Sequence, residues 1–345
     1  FITIQHRHVE QSGVVRDVIA ATVLGSEAIP FAPEASVHIP PMTSPLISDE
    51  TATCTTIQTA PKPLRVYCMI PYLWNKSSIT GGYVEGNTRD KYNEIMASYG
   101  SRCDVMRFFI DPVNNETEAA TLPDNVIEMK SLNRTYGCTL CGPATNLEPC
   151  KHIWEKVWRM WVWVAENESH MAEWFVKLDD DSFLFPENVL YYARVSGFNY
   201  NDLHYFGNEA NHRHTPIVLG AAVIFSRELL LRSKPIWEAM PYEDSFQTDT
   251  CADVHGSTEE LTTAVCLKQL DVKAHGATLQ GRETVMVMGP LGHLWSRRGD
   301  NWYWARRNLS THDGPQCCSA HPIAFHHMKK PGGVYCESVC VWVRG

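Results

Sequence analysis

The sequence predicts an α/β domain over residues 65–345, preceded by an irregular arm formed by residues 1–64. Two apolar runs with the character of buried strands, 65–70 and 103–110, flank a stretch with helical spacing at 88–98. Strand, helix, strand is the beginning of an α/β sheet. The arm is rich in Pro, Ser, Thr and Ala and has no sustained hydrophobic period, so we expect little regular structure in it.

Further strands and helices alternate along the domain. A short strand is expected at 126–129, and apolar residues at helical spacing predict a helix at 152–165. The spacing of Trp158 and Trp161 in that helix favours packing against a core over a carbohydrate-binding surface. The remaining predicted elements are strands at 174–178, 204–207 and 217–225 and helices at 186–194, 227–233 and 258–270. Pro186 suits the first turn of its helix, whereas the helix at 227–233 is expected to end before Pro235.

Composition excludes two classes of partner. The formal net charge is -9, and a protein that binds nucleic acid or an anionic membrane surface needs a basic face. No apolar run approaches the length of about 18 residues that marks a membrane-spanning helix. We therefore expect neither a nucleic-acid partner nor a membrane span in this chain.

Cysteines and glycosylation signals predict an oxidising compartment, either the lumen of the secretory pathway, including the Golgi, or the extracellular space. The chain has 12 cysteines, an even number that favours disulfides. The alternative is zinc, because Cys138 and Cys141 have ligand spacing and Cys336 and Cys340 form a loose second pair. Five sequons indicate the same compartment: Asn75, Asn115, Asn133, Asn167 and Asn308.

Three consecutive aspartates, Asp179, Asp180 and Asp181, directly follow the apolar strand predicted at 174–178. Ligands of α/β sheets bind beyond the carboxyl ends of strands, and clustered carboxylates repel one another unless a cation lies between them. Carboxylate oxygens select Mg²⁺ or Mn²⁺, which can in turn hold a diphosphate. The alternative is an acidic surface turn without a ligand.

Two further pairs of residues are candidates for the same site. His326 and His327 follow the apolar residues 323–325, and we select His326 as a third metal ligand because imidazole completes Mn²⁺ sites. Glu259 and Glu260 follow a capping sequence and open a helix. They are candidates for a general base, although a carboxylate at a helix start more often balances the helix dipole.

The order of these motifs resembles the inverting β1,3-glycosyltransferases of the Fringe and core 1 galactosyltransferase group, the core 1 enzymes in particular. The resemblance extends from residue 65 to about residue 327. The matching stretches are Cys68 and Cys103 in their strands, 174–183, 205–207, 226–230, 251–266, 302–304, 314–319 and 324–326.

This resemblance implies a GT-A type fold with a mixed central sheet, a UDP-sugar donor and Mn²⁺ or Mg²⁺. The implied roles are nucleotide-sugar binding for Asp179, Asp180 and Gly220, metal binding for Asp179, Asp181 and His326, and acceptor binding for Trp302, Tyr303 and Trp304. Glu260, with Glu259 beside it, falls where the family has its aspartate base. Residues 218–223 replace a glycine-rich donor segment of the family.

The leading hypothesis is therefore transfer of a hexose, with galactose favoured, from a UDP-sugar to a glycan or glycoprotein hydroxyl with inversion. A different class of function stays open, a non-catalytic secreted structural or interaction protein on the same fold, assembled as a homo-oligomer or through its arm. Side chains of Leu219 and Val223 inside the donor cavity would favour it. A third alternative is a sugar-binding module that keeps metal and ligand without transfer.

Overall fold

The chain divides into two compact units, Phe1–Ala60 and Pro61–Gly345. The residues that the computed structural model describes are 3–7, 10–11, 14–15, 18–22, 63–74, 88–113, 116–129, 148–212, 214–239, 259–289 and 317–328. The described strands of the first unit are β1 (Thr3–Arg7), β2 (Glu10–Gln11), β3 (Val14–Val15) and β4 (Val18–Thr22). There β1 pairs with β4, and β2 pairs with β3, both in antiparallel fashion.

A mixed sheet of seven strands forms the centre of the second unit. Its strands are β5 (Val66–Tyr72), β6 (Val105–Ile110), β7 (Val126–Glu128), β8 (Trp174–Lys177), β10 (Tyr205–His212), β11 (Thr215–Ser226) and β12 (His275–Gly276). Across the sheet they lie in the order β12-β10-β11-β8-β5-β6-β7. Strands β8, β5, β6 and β7 are parallel, and β11 is antiparallel to both β8 and β10. The predicted α/β class with a mixed central sheet is confirmed.

Helices connect and cover these strands. They are α1 (Thr88–Ala97), α2 (Glu116–Ala119), α3 (Glu148–Asn167), α4 (Pro186–Val195), α5 (Arg227–Glu238) and α6 (Glu259–Leu267), with 3₁₀ turns at Gly100–Arg102 and Lys268–Leu270. Short strands outside the central sheet are β9 (Phe183–Leu184), β13 (Thr278–Leu279), β14 (Arg282–Glu283), β15 (Val285–Met286) and β16 (Ala324–Phe325). Within the described ranges, no helix combines the length and the apolar character needed to cross a membrane.

One predicted boundary is wrong, because α5 continues through Pro235 to Glu238 instead of ending before the proline. A proline inside a helix loses one backbone hydrogen bond and crowds the preceding turn. Here the last turn is stabilised by Trp237, which is fully buried and donates its indole N–H to Ser233 Oγ at 3.0 Å. The burial of this large side chain outweighs the local penalty, which the sequence pattern alone does not reveal.

The core occupies both faces of the central sheet. Along β5, Tyr67 and Met69 pack into one cluster and Cys68 and Ile70 into the other, as the twofold alternation of a strand requires. The first cluster is covered by α3, α5 and α6, and Trp161 stacks on a strand residue there, so the packing role predicted for that tryptophan is confirmed. A sheet with both faces covered leaves its strand ends as the place for a site.

Two disulfides join pairs of described cysteines. Cys68 in β5 is bonded to Cys103, which lies just before β6, with Cα atoms 6.0 Å apart. The adjacent Cys317 and Cys318 are bonded to each other. The disulfide interpretation is therefore correct for these four cysteines. The four cysteines considered as zinc ligands lie outside the described residues: Cys138, Cys141, Cys336 and Cys340.

Candidate active site

The three consecutive aspartates lie at the carboxyl edge of the parallel strands. Strand β8 ends at Lys177, between β5 and β11 in the sheet, and Asp179 follows two residues later. The backbone N–H of Ser182 donates to the carbonyl of Asp179 at 3.0 Å, so residues 179–182 form a turn at the strand end. This is the edge at which α/β sheets bind their ligands.

A small sheet brings the two histidines to this turn from the other end of the chain. Strand β9 follows the aspartates directly and pairs with β16, with Phe183 opposite Phe325. Beyond β16, the N–H of Met328 donates to the carbonyl of Asp181 at 2.8 Å. Because backbone pairing holds both segments, His326 is fixed beside the aspartates although 145 positions separate it from Asp181.

The side chains predicted as metal ligands converge. His326 Nε2 lies 3.2 Å from Asp179 Oδ2 and 3.0 Å from Asp181 Oδ1. His327 Nδ1 lies 3.3 Å from Asp181 Oδ2, and the ligand atoms of Asp181, His326 and His327 all fall within 4.8 Å of one another. Two carboxylates and imidazole nitrogen form a donor set that suits Mn²⁺ or Mg²⁺, so these residues could hold such an ion.

Sequence reasoning missed the part of His327 in this group. Of the two adjacent histidines, the sequence prediction selects only His326 as a metal ligand. His327 has a φ of 55°, in the left-handed region that non-glycine residues rarely adopt. The two imidazole rings consequently stack on each other, with centroids 4.0 Å apart. Unusual backbone geometry of this kind is concentrated at functional sites.

Close contact between the carboxylates and the imidazole changes their proton affinities. Burial lowers the pKa of His326, but its hydrogen bonds to Asp179 and Asp181 outweigh burial and raise it to about 10. Burial conversely raises the pKa of Asp179, while Lys177 and His326 together bring it down to about 2. A pKa raised in this way keeps a proton on His326 at neutral pH, and a divalent cation that binds the imidazole has to displace that proton.

Lys177 and Glu259 border the aspartates on the side of helix α6. Lys177 is 1% exposed, and its Nζ lies 2.6 Å from Asp179 Oδ1 and 2.9 Å from the Glu259 carboxylate. Burial lowers the pKa of Lys177, but the charges of Asp179 and Glu259 hold it above its usual range. Burial also raises the pKa of Glu259, and Lys177 opposes that rise. The lysine is therefore a charged group enclosed by two acids.

A bulge in β11 places a glycine against the acids. Gly207 of β10 pairs with Val223, whereas the next residue, Asn208, pairs with Leu219. Residues 220–222 of β11 therefore have no partner on β10, and such bulges are frequent next to active sites. A Cβ atom on Gly220 would lie 2.5 Å from Asp179 Oδ2 and 3.1 Å from Glu260 Oε1. Only glycine fits this position without displacing Asp179.

The side chains beside this glycine pack into the core. Leu219 and Val223 are 8% and 3% exposed and belong to the cluster covered by α3, α5 and α6. The carboxylate of Glu260, by contrast, lies near that of Asp179, because a Cβ atom on Gly220 would be close to both. The structure thus brings Gly220, Glu259 and Glu260 to the predicted metal ligands.

Asp180 is paired with a cation that no sequence motif indicates. Lys91, from helix α1, places its Nζ 2.8 Å from Asp180 Oδ2. Both side chains reach the surface, with exposed fractions of 27% for Lys91 and 39% for Asp180. Burial of the Asp180 carboxyl group raises its pKa, and Lys91 opposes that rise. The predicted acceptor residues Trp302, Tyr303 and Trp304 lie outside the described residues.

Comparison with known proteins relates part of the chain to one enzyme. No family model matches the chain. Over 167 residues it is 29% identical to the Xenopus laevis glycoprotein-N-acetylgalactosamine 3-beta-galactosyltransferase 1. The alignment covers 46% of this chain and 42% of the relative, so the chain spans less than half of that protein's length.

Solved structures give only weak likenesses. The chain is similar to mouse xyloside xylosyltransferase 1 in its apo form, with a TM-score of 0.36 and 9% identity, over 76% of this chain and 98% of that one. It is also similar to the 4-diphosphocytidyl-2C-methyl-D-erythritol synthase of Anaerococcus prevotii, with a TM-score of 0.28 and 11% identity, over 60% and 96% of the two chains. Likeness at these TM-scores carries no argument for fold or function.

Proposed function

We propose that this chain is a metal-dependent glycosyltransferase with a GT-A type domain. It transfers a hexose, with galactose favoured, from a UDP-sugar to a hydroxyl of a glycan or glycoprotein, with inversion at the anomeric carbon. The observation that carries the proposal is the convergence of Asp179, Asp181 and His326 at the carboxyl edge of a mixed sheet. The partial similarity to the Xenopus galactosyltransferase supports the same reaction class.

The donor atoms of the site fit a divalent cation. Asp179 Oδ2, Asp181 Oδ1 and His326 Nε2 face one another, and His327 Nδ1 lies next to Asp181 Oδ2. These residues would hold Mn²⁺ or Mg²⁺. When bound, the ion stabilises the negative charge of the diphosphate as it leaves.

The remaining acids and lysines have distinct tasks in this proposal. Glu260 accepts the proton of the acceptor hydroxyl, whose oxygen forms the new bond to the anomeric carbon while the bond from that carbon to UDP breaks. Lys91 lies at the solvent-exposed rim of this group of acids, where its ammonium is accessible to the donor diphosphate. Asp180 keeps Lys91 at that rim in the absence of donor.

The acceptor side of the proposal depends on a segment outside the described residues. We assign Trp302, Tyr303 and Trp304 to acceptor binding, because a flat aromatic ring stacks well on a sugar face. The described disulfides favour the lumen of the secretory pathway, such as the Golgi, or the extracellular space. Asn167 of the sequon at the end of α3 is exposed, as a glycan acceptor must be.

A UDP-release assay tests the proposal. The chain is incubated with Mn²⁺, a panel of UDP-hexoses including UDP-galactose, and glycan and glycopeptide acceptors, and the anomeric configuration of the product is determined by NMR. We expect UDP release that requires both metal and acceptor, and a product of inverted configuration. Binding of UDP without product would favour the sugar-binding alternative. If the chain neither binds nor releases UDP with any UDP-sugar in the panel, that result contradicts the proposal.

A further inference from the structure

Lys177 is a charged residue buried in the last position of a central strand. Its side chain is 1% exposed, and an ammonium group removed from water destabilises a fold unless acids compensate it. Lys177 and Asp179 are two positions apart, so both side chains leave the extended backbone on the same face. That face is covered by α6, whose first residue is Glu259. The lysine therefore joins the strand of the aspartates to the helix of the glutamates.

The ammonium of Lys177 determines which oxygen of Asp179 is available. Oδ1 accepts from Lys177 Nζ at 2.6 Å, and Oδ2 lies 3.2 Å from His326 Nε2. A carboxylate without such a partner can rotate about its terminal bond and exchange its two oxygens. With Oδ1 held, Oδ2 is directed towards the histidine and the predicted metal position.

The same ammonium distinguishes two neighbouring glutamates. Glu259 is 9% exposed and lies 2.9 Å from Lys177 Nζ. Adjacent residues of a helix are turned about 100° from each other, since a turn takes about 3.6 residues. The side chain of Glu260 accordingly leaves the helix in a different direction from that of Glu259. Its Oε1 lies 3.1 Å from the position that a Cβ atom added to Gly220 would take. One glutamate is enclosed with a cation, and the other borders the metal-binding group.

We propose that Lys177 is a positioning residue that holds Asp179 Oδ2 towards the metal and ties up Glu259, leaving Glu260 as the glutamate that acts on the acceptor. This inference rests on the proposed function and extends it to two residues that contact neither metal nor substrate directly. Positioning groups behind metal ligands typically change metal affinity by about 10-fold to 100-fold when they are removed.

Metal binding to the metal-free full chain provides the test. Mn²⁺ affinity is measured by isothermal titration calorimetry for the wild type, for Glu259→Gln and for the charge-balanced double variant Lys177→Met/Glu259→Gln. The single variant retains the contact between Lys177 and Asp179, so its Kd is expected within about threefold of wild type. The double variant loses that contact, and its Kd is expected to rise about tenfold or more. Circular dichroism and thermal unfolding establish that each variant is folded.

A second variant covers the case in which the double variant does not fold. Lys177→Gln keeps an amide donor that reaches one acid but not both, and its Mn²⁺ Kd is expected to rise about fivefold, the equivalent of one hydrogen bond. In an enzyme assay the Mn²⁺ concentration for half-activation rises, whereas kcat at saturating Mn²⁺ falls by a smaller factor. A merely structural lysine would lower the unfolding temperature and leave the metal affinity of folded protein unchanged.

The outcomes separate the inference from the proposed function. Folded Lys177 variants that bind Mn²⁺ as tightly as Glu259→Gln overturn the inference and leave the proposed function intact. A wild-type chain that takes up no Mn²⁺ overturns the proposed metal site and the inference with it. Selective weakening in the Lys177 variants supports both.

Discussion

The two ends of the central strands both hold partly buried charges, but only one end is balanced. Towards the amino ends, Glu168 accepts from Arg107 through both carboxylate oxygens, at 2.8 and 3.0 Å, and from the Tyr67 hydroxyl at 2.5 Å. Nearby, Glu173 accepts from the backbone and the guanidinium of Arg65. Both of these acids face a guanidinium, so their hydrogen-bonding capacity is used within the protein.

The carboxyl ends have an excess of acid among the described residues. Around Asp179, five carboxylates meet two lysines and two histidines: Asp179, Asp180, Asp181, Glu259 and Glu260 against Lys177, Lys91, His326 and His327. The histidines count as cations only while they are protonated. When they bind a metal in their neutral form, the acids outnumber the lysines, and a divalent ion offsets most of the excess negative charge.

In this molecule, charge balance, more than burial, distinguishes structural from functional clusters of charged residues. A paired acid stabilises the fold and needs no ligand, whereas uncompensated acids at a strand end destabilise the fold until a cation binds. Substitutions at the two ends should therefore change different measured quantities. Those at the carboxyl end should change turnover, and those at the amino end should change the free energy of unfolding.

The largest effect is expected for Glu260→Gln. An amide cannot accept the acceptor proton, so turnover should fall about a thousandfold, equivalent to about 4 kcal/mol in the activation barrier. Glu259→Gln is the matched control, because the same change beside Lys177 should lower turnover less than about tenfold. UDP release at saturating donor and Mn²⁺ measures both. Turnover by Glu260→Gln near the wild-type value would remove Glu260 from the reaction.

Gly220→Ala should have the next largest effect. The new Cβ would lie 2.5 Å from Asp179 Oδ2, so the carboxylate must move by a substantial fraction of an ångström. A displacement of about 1 Å near reacting groups lowers rates by about a hundredfold, and we expect a loss of that order in kcat together with weaker Mn²⁺ binding. Gly289→Ala is the control, since a Cβ there meets nothing closer than 3.7 Å. Equal kcat values for the two variants would contradict the close contact.

The sequence predicts the acidic end of the sheet better than its supporting contacts. The apolar strand before Asp179 and the short run before His326 are local patterns, and each indicates where its segment ends. The contact of Lys177 with Glu259 and the contact of Lys91 with Asp180 arise from packing of α6 and α1, which no local spacing specifies. The bulge at Gly220 and the left-handed φ of His327 depend on neighbouring strands, so a regular alternation of side chains does not predict them.

Glu168→Gln should affect stability and leave turnover per folded molecule unchanged. The variant weakens the bidentate pair with Arg107 and leaves its partly buried guanidinium without a charged partner. We expect a loss of about 2 kcal/mol in the free energy of unfolding, measured by urea denaturation. Glu187→Gln is the control, because Glu187 is 59% exposed in its pair with Arg102 and should lose less than about 0.5 kcal/mol. A fall in kcat of folded Glu168→Gln would mean that the balanced end also contributes to catalysis.

The smallest effect is expected for Lys91→Met, which tests whether the cation at the rim acts on the donor. Lys91 is accessible and its acid partner Asp180 is 39% exposed, so water screens the interaction and the gain per contact is modest. We expect the KM for UDP-sugar to rise about fivefold, with kcat and Mn²⁺ affinity retained, because the proposed role of the lysine is to contact the diphosphate and not the metal. Lys234→Met, which removes a lysine paired with Glu238 within α5, is the control and should leave KM unchanged.

A rise in KM that disappears at high ionic strength would support direct charge attraction between Lys91 and the donor, since salt screens exposed charges. An unchanged KM at low ionic strength would instead make Lys91 a partner of Asp180 alone, and the acidic end would then rely on the metal for all of its attraction to the diphosphate.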